Sequence, residues 1–253
     1  MKERSIRRLL DYIYFVQETE AYHMNEEAEE LVYDVLDGKV EPDEAVSRIL
    51  DAYGLTGDAL MTDTEDHLYP GTDVLINLFG LTDQDLLDEI ETLIVSVRMA
   101  ELLKTEHEGA FDFEYLCEIH HRLFSDIYPF SGSLRETAVT QKTVFCFPQF
   151  IESTAEEIFT RLRQERYLRK QDFDTFVDNL AYFMAEVHAL HPFLEGNTRV
   201  LRIFFQQLSH RAGWHINPSQ TDDARLLEAD IAALDGDYQP LISLLHLAVE
   251  PLT

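Results

Sequence analysis

Apolar residues recur at intervals of three and four in one segment after another of this 253-residue chain. The pattern runs through RSIRRLLDYIYFVQETE, AEELVYDVLDG, PDEAVSRILDAYG, LLDEIETLIVSVRMAELL, FEYLCEIHHRLF, FIESTAEEIFTRL and FDTFVDNLAYFMAEVHAL. An α-helix turns once in about 3.6 residues, so each segment gathers its apolar side chains into a stripe that another element must cover. The expected fold class is therefore all-α. Breaks fall at Gly38, between Gly54 and Gly57, at Tyr69-Pro70-Gly71 and from Pro129 to Gly132. The polar stretch TGDALMTDTEDHLYPGTD is the best boundary, and it separates a three-helix module over 1–57 from a larger domain over 58–253. The third helix of that module is expected to open with Pro42 in its first turn, where the acids Glu41, Asp43 and Glu44 complement the helix dipole.

A chain that is 45% hydrophobic can build a sizeable core. Its 48 acidic against 20 basic residues give a formal charge of −28, which disfavours nucleic-acid phosphates and anionic membranes as partners. No run approaches about twenty apolar residues and no secretion signal is evident, so a cytoplasmic location is expected. Cys117 and Cys146 lie among apolar residues and show no metal or disulfide spacing, which marks them as small core-fillers. Fifteen of the 20 basic residues are arginine. Arginines that converge in a cleft would make an anion site inside a negative protein.

One segment leaves the helical period. RETAVTQKTVFCFP, residues 135–148, alternates like a short β-hairpin with its turn near Gln141-Lys142. A lone hairpin leaves open edges, and an open edge can pair with an extended peptide. A surface loop with some β-propensity is the competing reading.

The densest chemistry lies in HALHPFLEGNTRVLRIF, residues 188–204. Pro192 steers His191 out of helical geometry and toward an extended conformation, so the preceding helix is expected to stop there. Gly196 and Asn197 suit the start of a new helix, whose unpaired amides and dipole favour an anion. Arg199 and Arg202, three apart, would share a face near that start and grip more than one phosphoryl group. Glu195 would repel a bare phosphate but could hold a Mg²⁺ ion that bridges phosphate oxygens. His191 has the right chemistry for a general base on an incoming hydroxyl. A helical metal pair made by His188 and His191 would need further ligands, which are not nearby in sequence. The groups together describe a nucleotide-dependent transfer site.

HPFLEGNTRVLR, residues 191–202, resembles the Fic-domain signature His-Pro-Phe-x-Asp/Glu-Gly-Asn-x-Arg-x-x-Arg at every defined position. The resemblance extends to YPGTDVLINLFGLTDQDLLDEIE, to FEYLCEIHHRLFSDIYPFSGSLRE and to DGDYQPL, and so covers about residues 68 to 245. It implies a helical core with a short β-hairpin flap, and a protein adenylyltransferase that moves AMP from ATP to a Ser, Thr or Tyr hydroxyl of a target protein. On that resemblance His191 is the general base, Glu195 the Mg²⁺ ligand, and Gly196 and Asn197 part of the anion hole. Arg199 and Arg202 hold the outer phosphates, with Arg202 reaching the γ-phosphate. Thr198 stands in the nucleotide-binding turn, where many relatives carry Gly or Lys. Phe193 anchors the loop in the core. Lys142, Thr143, Val144 and Phe145 form the flap that registers the target. The Gly196-Asn197 pair argues against the Fic-like kinases, which depart from it.

VLDGKVEPDEAVSRILDAYG resembles the small antitoxin partners that, in some Fic systems, occupy the ATP site with one helix. Their inhibitory motif is Ser/Thr-x-x-x-Glu-Gly/Asn, whose Glu pairs with the second arginine. The chain has no intact copy. Counting back from Gly38 by the spacing such antitoxins show, the resemblance implies Glu20 at the inhibitory position, with Val16 in place of the hydroxyl residue and Ala21 in place of the small one. Glu18 is the nearest rival, and Ser153 with Glu157 is a partial alternative. The expectation is therefore an autoinhibited adenylyltransferase. Its rivals are an enzyme that removes AMP from a modified protein, and a nucleotide-binding interaction module with little turnover. Oligomeric state stays open, a homo-oligomer included.

Overall fold

The computed structural model describes residues 3–56, 67–139, 145–220 and 223–252. Among them are ten α-helices and one two-stranded sheet. The helices are α1 (Glu3–Glu18), α2 (Glu26–Asp37), α3 (Pro42–Tyr53), α4 (Gln84–Lys104), α5 (Phe113–Phe124), α6 (Ile151–Gln164), α7 (Phe173–Leu190), α8 (Asn197–Ala212), α9 (Asp223–Leu234) and α10 (Gln239–Ala248). The strands are β1 (Trp214–Ile216) and β2 (Val249–Pro251), which pair antiparallel with Ile216 opposite Val249. No helix among the described residues is long and apolar enough to cross a membrane.

The chain divides into two compact units, residues 1–105 with 120–132, and residues 106–119 with 133–253. In the first, α1, α2 and α3 pack on α4. The outer three are amphipathic, whereas α4 buries thirteen residues around its circumference, as a central helix must. Local chemistry sets the ends. The Asn25 side chain accepts the Ala28 N–H (2.9 Å) to start α2, and Gly38, at φ +77°, turns its amide back onto the last carbonyls. Pro42 opens α3 as expected. Buried polar ties join α1 to α4 in this unit: Gln17 of α1 donates through Nε2 to Thr92 O (3.0 Å) and Ser96 Oγ (2.8 Å) of α4. Arg98 of α4 binds Asp126 (2.8 Å), Asp43 (2.8 Å) and Glu101 (3.0 Å).

In the second unit α7 is the hub, packed against α6, α8, α9 and α10. Asp172 caps it by accepting the Thr175 N–H (3.1 Å). Phe204 of α8 lies among Phe111, Phe159 and Phe205 in edge-to-face contacts 5.2 to 5.8 Å between ring centroids. This aromatic cluster and the buried length of α8 anchor that helix in the core.

Only the flanks of the hairpin expected over 135–148 lie among the described residues. Residues 135–139 and 145–147 carry no strand, and residues 140–144, with Lys142, Thr143 and Val144, lie outside the described residues. The sheet is made by β1 and β2, each only three residues long. The expected boundary at residue 57 also falls among residues not described. Cys117 and Cys146 are half-buried rather than in the core.

Candidate active site

The second unit gathers the signature residues at one turn. α7 ends at Leu190, and His191 caps it with φ +43° and ψ +61°, its N–H still donating to Val187 O (3.3 Å). His191 is thus out of the right-handed helix but not extended, which corrects the reading taken from Pro192. Proline clashes with a right-handed helical residue before it. That clash leaves the left-handed region open, and a left-handed residue is a common way to end a helix.

Asn197 then shapes the loop. Its Oδ1 accepts the Phe193 N–H (2.9 Å) and its Nδ2 donates to Phe193 O (2.8 Å). One amide side chain therefore satisfies both polar groups of a backbone unit that would otherwise be left wanting, while the Phe193 ring is 1% exposed, the core anchor expected of it. Gly196, at φ +79°, makes the turn into α8, a conformation open to glycine without strain. α8 begins at Asn197, so the amides of its first turn point out of the helix end with no acceptor inside it. Thr198 sits half-buried in that turn.

The charged groups follow from this geometry. Glu195 Oε1 accepts the Gly196 N–H (2.7 Å) and Arg199 Nη2 (3.2 Å). Arg199 is fully buried and Arg202 is 5% exposed, so both guanidiniums of the signature face inward. Arg202 Nη2 lies 2.7 Å from Asp230 Oδ2 on α9. Asp230 was not legible in advance, because its partner is 28 positions away and α9 lay outside the recognised helical segments.

His191 is held neutral. Burial above all, then the positive charges of His188 and Arg135, push its pKa down to about 3. Its Nδ1 is buried and has no hydrogen-bond partner among the described residues. The imidazole stacks on Phe145 with centroids 3.9 Å apart and planes 18° from parallel. Phe145, expected in the flap, is thus in contact with the expected base. His188 and His191 rings are 6.3 Å apart, and among the described residues no group of three or more His, Cys, Asp or Glu is placed to hold a metal. A second residue outside the signature, Arg135, donates through Nε to the His191 carbonyl (2.6 Å).

Glu20 belongs to the other unit, in the turn after α1. Its N–H donates to Gln17 O (3.1 Å) and its Oε2 is buried. Ala21 next to it has φ +62°. Glu18 and Glu157 are exposed.

Residues 110–209 match the Fic/DOC family. Over 178 residues the chain is 35% identical to the protein adenylyltransferase VbhT of Bartonella schoenbuchensis, an alignment covering 70% of this chain and 37% of that one. It is 36% identical over 180 residues to the probable protein adenylyltransferase y4lH of Sinorhizobium fredii, with 70% of this chain and 92% of that one covered. Among solved structures it resembles BepC of Bartonella tribocorum with bound AMPPNP, at 25% identity and a TM-score of 0.67, covering 76% of this chain and all of that one. With the signature complete from His191 to Arg202, a 36% identical relative covered over 92% of its length, and the helical fold in common, the chain belongs to the Fic/DOC family.

Proposed function

We propose that the chain is a protein adenylyltransferase, transferring AMP from ATP to a Ser, Thr or Tyr hydroxyl of a target protein. The observation that carries this reading is a single turn that presents a neutral histidine beside a helix N-terminus flanked by two buried arginines. Its relatives named protein adenylyltransferase, and BepC with bound AMPPNP, support the same chemistry.

The residues divide the work. His191 accepts the hydroxyl proton as the oxygen bonds to the α-phosphorus of ATP; the bond from that phosphorus to the bridging oxygen breaks, and pyrophosphate leaves. At neutral pH the imidazole is already deprotonated, as a base must be. The first-turn amides of α8, with Gly196 and Asn197 shaping the turn, stabilise negative charge on the phosphoryl oxygens. Arg199 and Arg202 align the outer phosphates. A magnesium ion, held by Glu195 and mainly by the phosphates and water, would neutralise charge on the triphosphate. The half-exposed Glu195 carboxylate fits such an ion, which needs only one or two protein carboxylates. Phe145 and residues 142–144 would register the target's backbone by strand pairing.

In this reading residues 1–57 are a regulatory module and 58–253 the Fic domain. Glu20 is the restraint: its carboxylate would occupy Arg202 and compete with the γ-phosphate. Two features favour Glu20 over Glu18 and Glu157. Its Oε2 is buried while both rivals are exposed, and the motif's Gly or Asn position falls on Ala21, whose left-handed φ those residues adopt most easily.

The test is His191→Ala in the Glu20→Gly chain, with calorimetric ATP binding and transfer of label from α-phosphate-labelled ATP measured side by side. ATP binding should persist while transfer disappears. Transfer that survives the change removes His191 as the base.

A further inference from the structure

Arg135 is 4% exposed, and each of its guanidinium nitrogens donates to a different backbone carbonyl. Nε reaches His191 O (2.6 Å), Nη1 reaches Thr137 O (2.8 Å), and Nη2 reaches Cys146 O. Its own N–H donates to Pro192 O (2.9 Å). The Cys146 N–H adds a further tie to Ala189 O (3.0 Å). Thr137 and Cys146 bracket the segment whose far part would meet a target, and Ala189, His191 and Pro192 form the loop that carries the base.

Burying a cation costs free energy unless its hydrogen bonds are met. Here three carbonyls accept from its three guanidinium nitrogens, one each, a set of contacts that suits a rigid fork and that a single ammonium does not reproduce. The same fork fixes the one residue of the loop that stands at φ +43°, the conformation that aims the His191 ring at Phe145.

We propose that Arg135 is a positioning residue for transfer: by joining the His191 and Pro192 carbonyls to both stems of the flap, it sets the orientation of the base from the segment that docks the target. The proposal rests on the adenylyltransferase reading for its functional consequence, but its structural part can be read without turnover. Phe145 adjoins Cys146 in the chain, so loss of the fork would loosen the ring stack on His191 as well as the loop. The side chain acts through His191 and does not touch the reacting atoms.

The experiment compares Arg135→Lys and Arg135→Gln in the whole chain carrying Glu20→Gly. Three quantities are measured: ATP affinity by calorimetry, transfer turnover with α-phosphate-labelled ATP, and the ¹⁵N signals of the His191 ring through a pH titration. A base displaced by about 1 Å loses about 100-fold in turnover, and Arg135→Lys should show that loss with ATP affinity changed less than about twofold. The His191 ring signals should shift in both variants. The titration midpoint should rise in Arg135→Gln, which loses the nearby charge, and stay low in Arg135→Lys, which keeps it. Full turnover in Arg135→Lys overturns the proposal. So does a parallel collapse of ATP affinity, turnover and melting temperature in both variants, the signature of a strut for the whole fold. If the Glu20→Gly parent itself transfers no label, the adenylyltransferase reading fails, and the ring signals decide the remainder: shifted signals in Arg135→Lys uphold the positioning role, and unmoved ones refute it.

Discussion

Two histidines buried in the neutral form make the fold sensitive to mild acid. His191 is pushed down to about 3 and His210 to about 4, in each case first by burial and then by a neighbouring positive group, from an ordinary value of 6.5. In the unfolded chain both take up a proton below pH 6.5, while in the folded chain neither does until well below pH 5. The unfolded state therefore binds more protons across this window, and stability falls as the pH drops from 6.5 toward the folded values. At pH 5 the unfolded histidines are about 1.5 pH units below their midpoint, and each unit costs about 1.4 kcal/mol, so each histidine removes about 2 kcal/mol relative to pH 7. The perturbation is His191→Gln, which deletes one titrating group, and the assay is urea unfolding of both proteins at pH 7 and pH 5. The many acids contribute equally to both and cancel in the comparison. The variant should lose about 2 kcal/mol less than the parent between the two pH values. An equal loss in both proteins would refute the reasoning and mean that His191 titrates normally in the fold.

Other expectations follow from single contacts. Ala21→Gly should raise stability by about 1 kcal/mol in urea unfolding, because Ala21 pays for a φ of +62° that glycine adopts without strain. Asn197→Ala strips partners from both polar groups of the Phe193 backbone and should cost about 2 to 4 kcal/mol, visible as a lowered melting temperature and weaker ATP binding. Asp230→Ala removes the carboxylate 2.7 Å from the buried Arg202 and should cost about 3 kcal/mol in urea unfolding, with a raised KM for ATP as Arg202 loses its orientation.

The helical plan was legible because it is local. The segments FEYLCEIHHRLF and FDTFVDNLAYFMAEVHAL coincide with α5 and α7, whose apolar stripes recur every three or four residues and whose ends carry caps. The start of α8 was equally legible from Gly196, whose positive φ the turn requires. α9 was not, since DARLLEADIAAL spreads small alanines where a stripe would have larger side chains. β1 and β2 were too short for alternation to register over three residues. In the site, the signature residues share one stretch of chain and announced themselves together. Arg135 and Asp230 reach their partners across 56 and 28 positions, and beside Glu136 an arginine reads as half of a surface pair. Only the folded chain shows that its guanidinium faces carbonyls. The left-handed turn at His191 was missed for a related reason: proline rules out one conformation of the residue before it, and the tie to Arg135 helps hold the conformation that remains.

The central claim is transfer of AMP by His191 under restraint by Glu20. Intact mass of the purified protein after incubation with ATP and magnesium, alone and with a lysate supplying targets labelled from α-phosphate-labelled ATP, tests it most directly. The account requires one AMP added to the Glu20→Gly chain or to a lysate protein, with none from the wild type and none from Glu20→Gly combined with His191→Ala. Equal modification by wild type and Glu20→Gly would contradict the restraint, and no modification by any of the three would contradict the transfer itself.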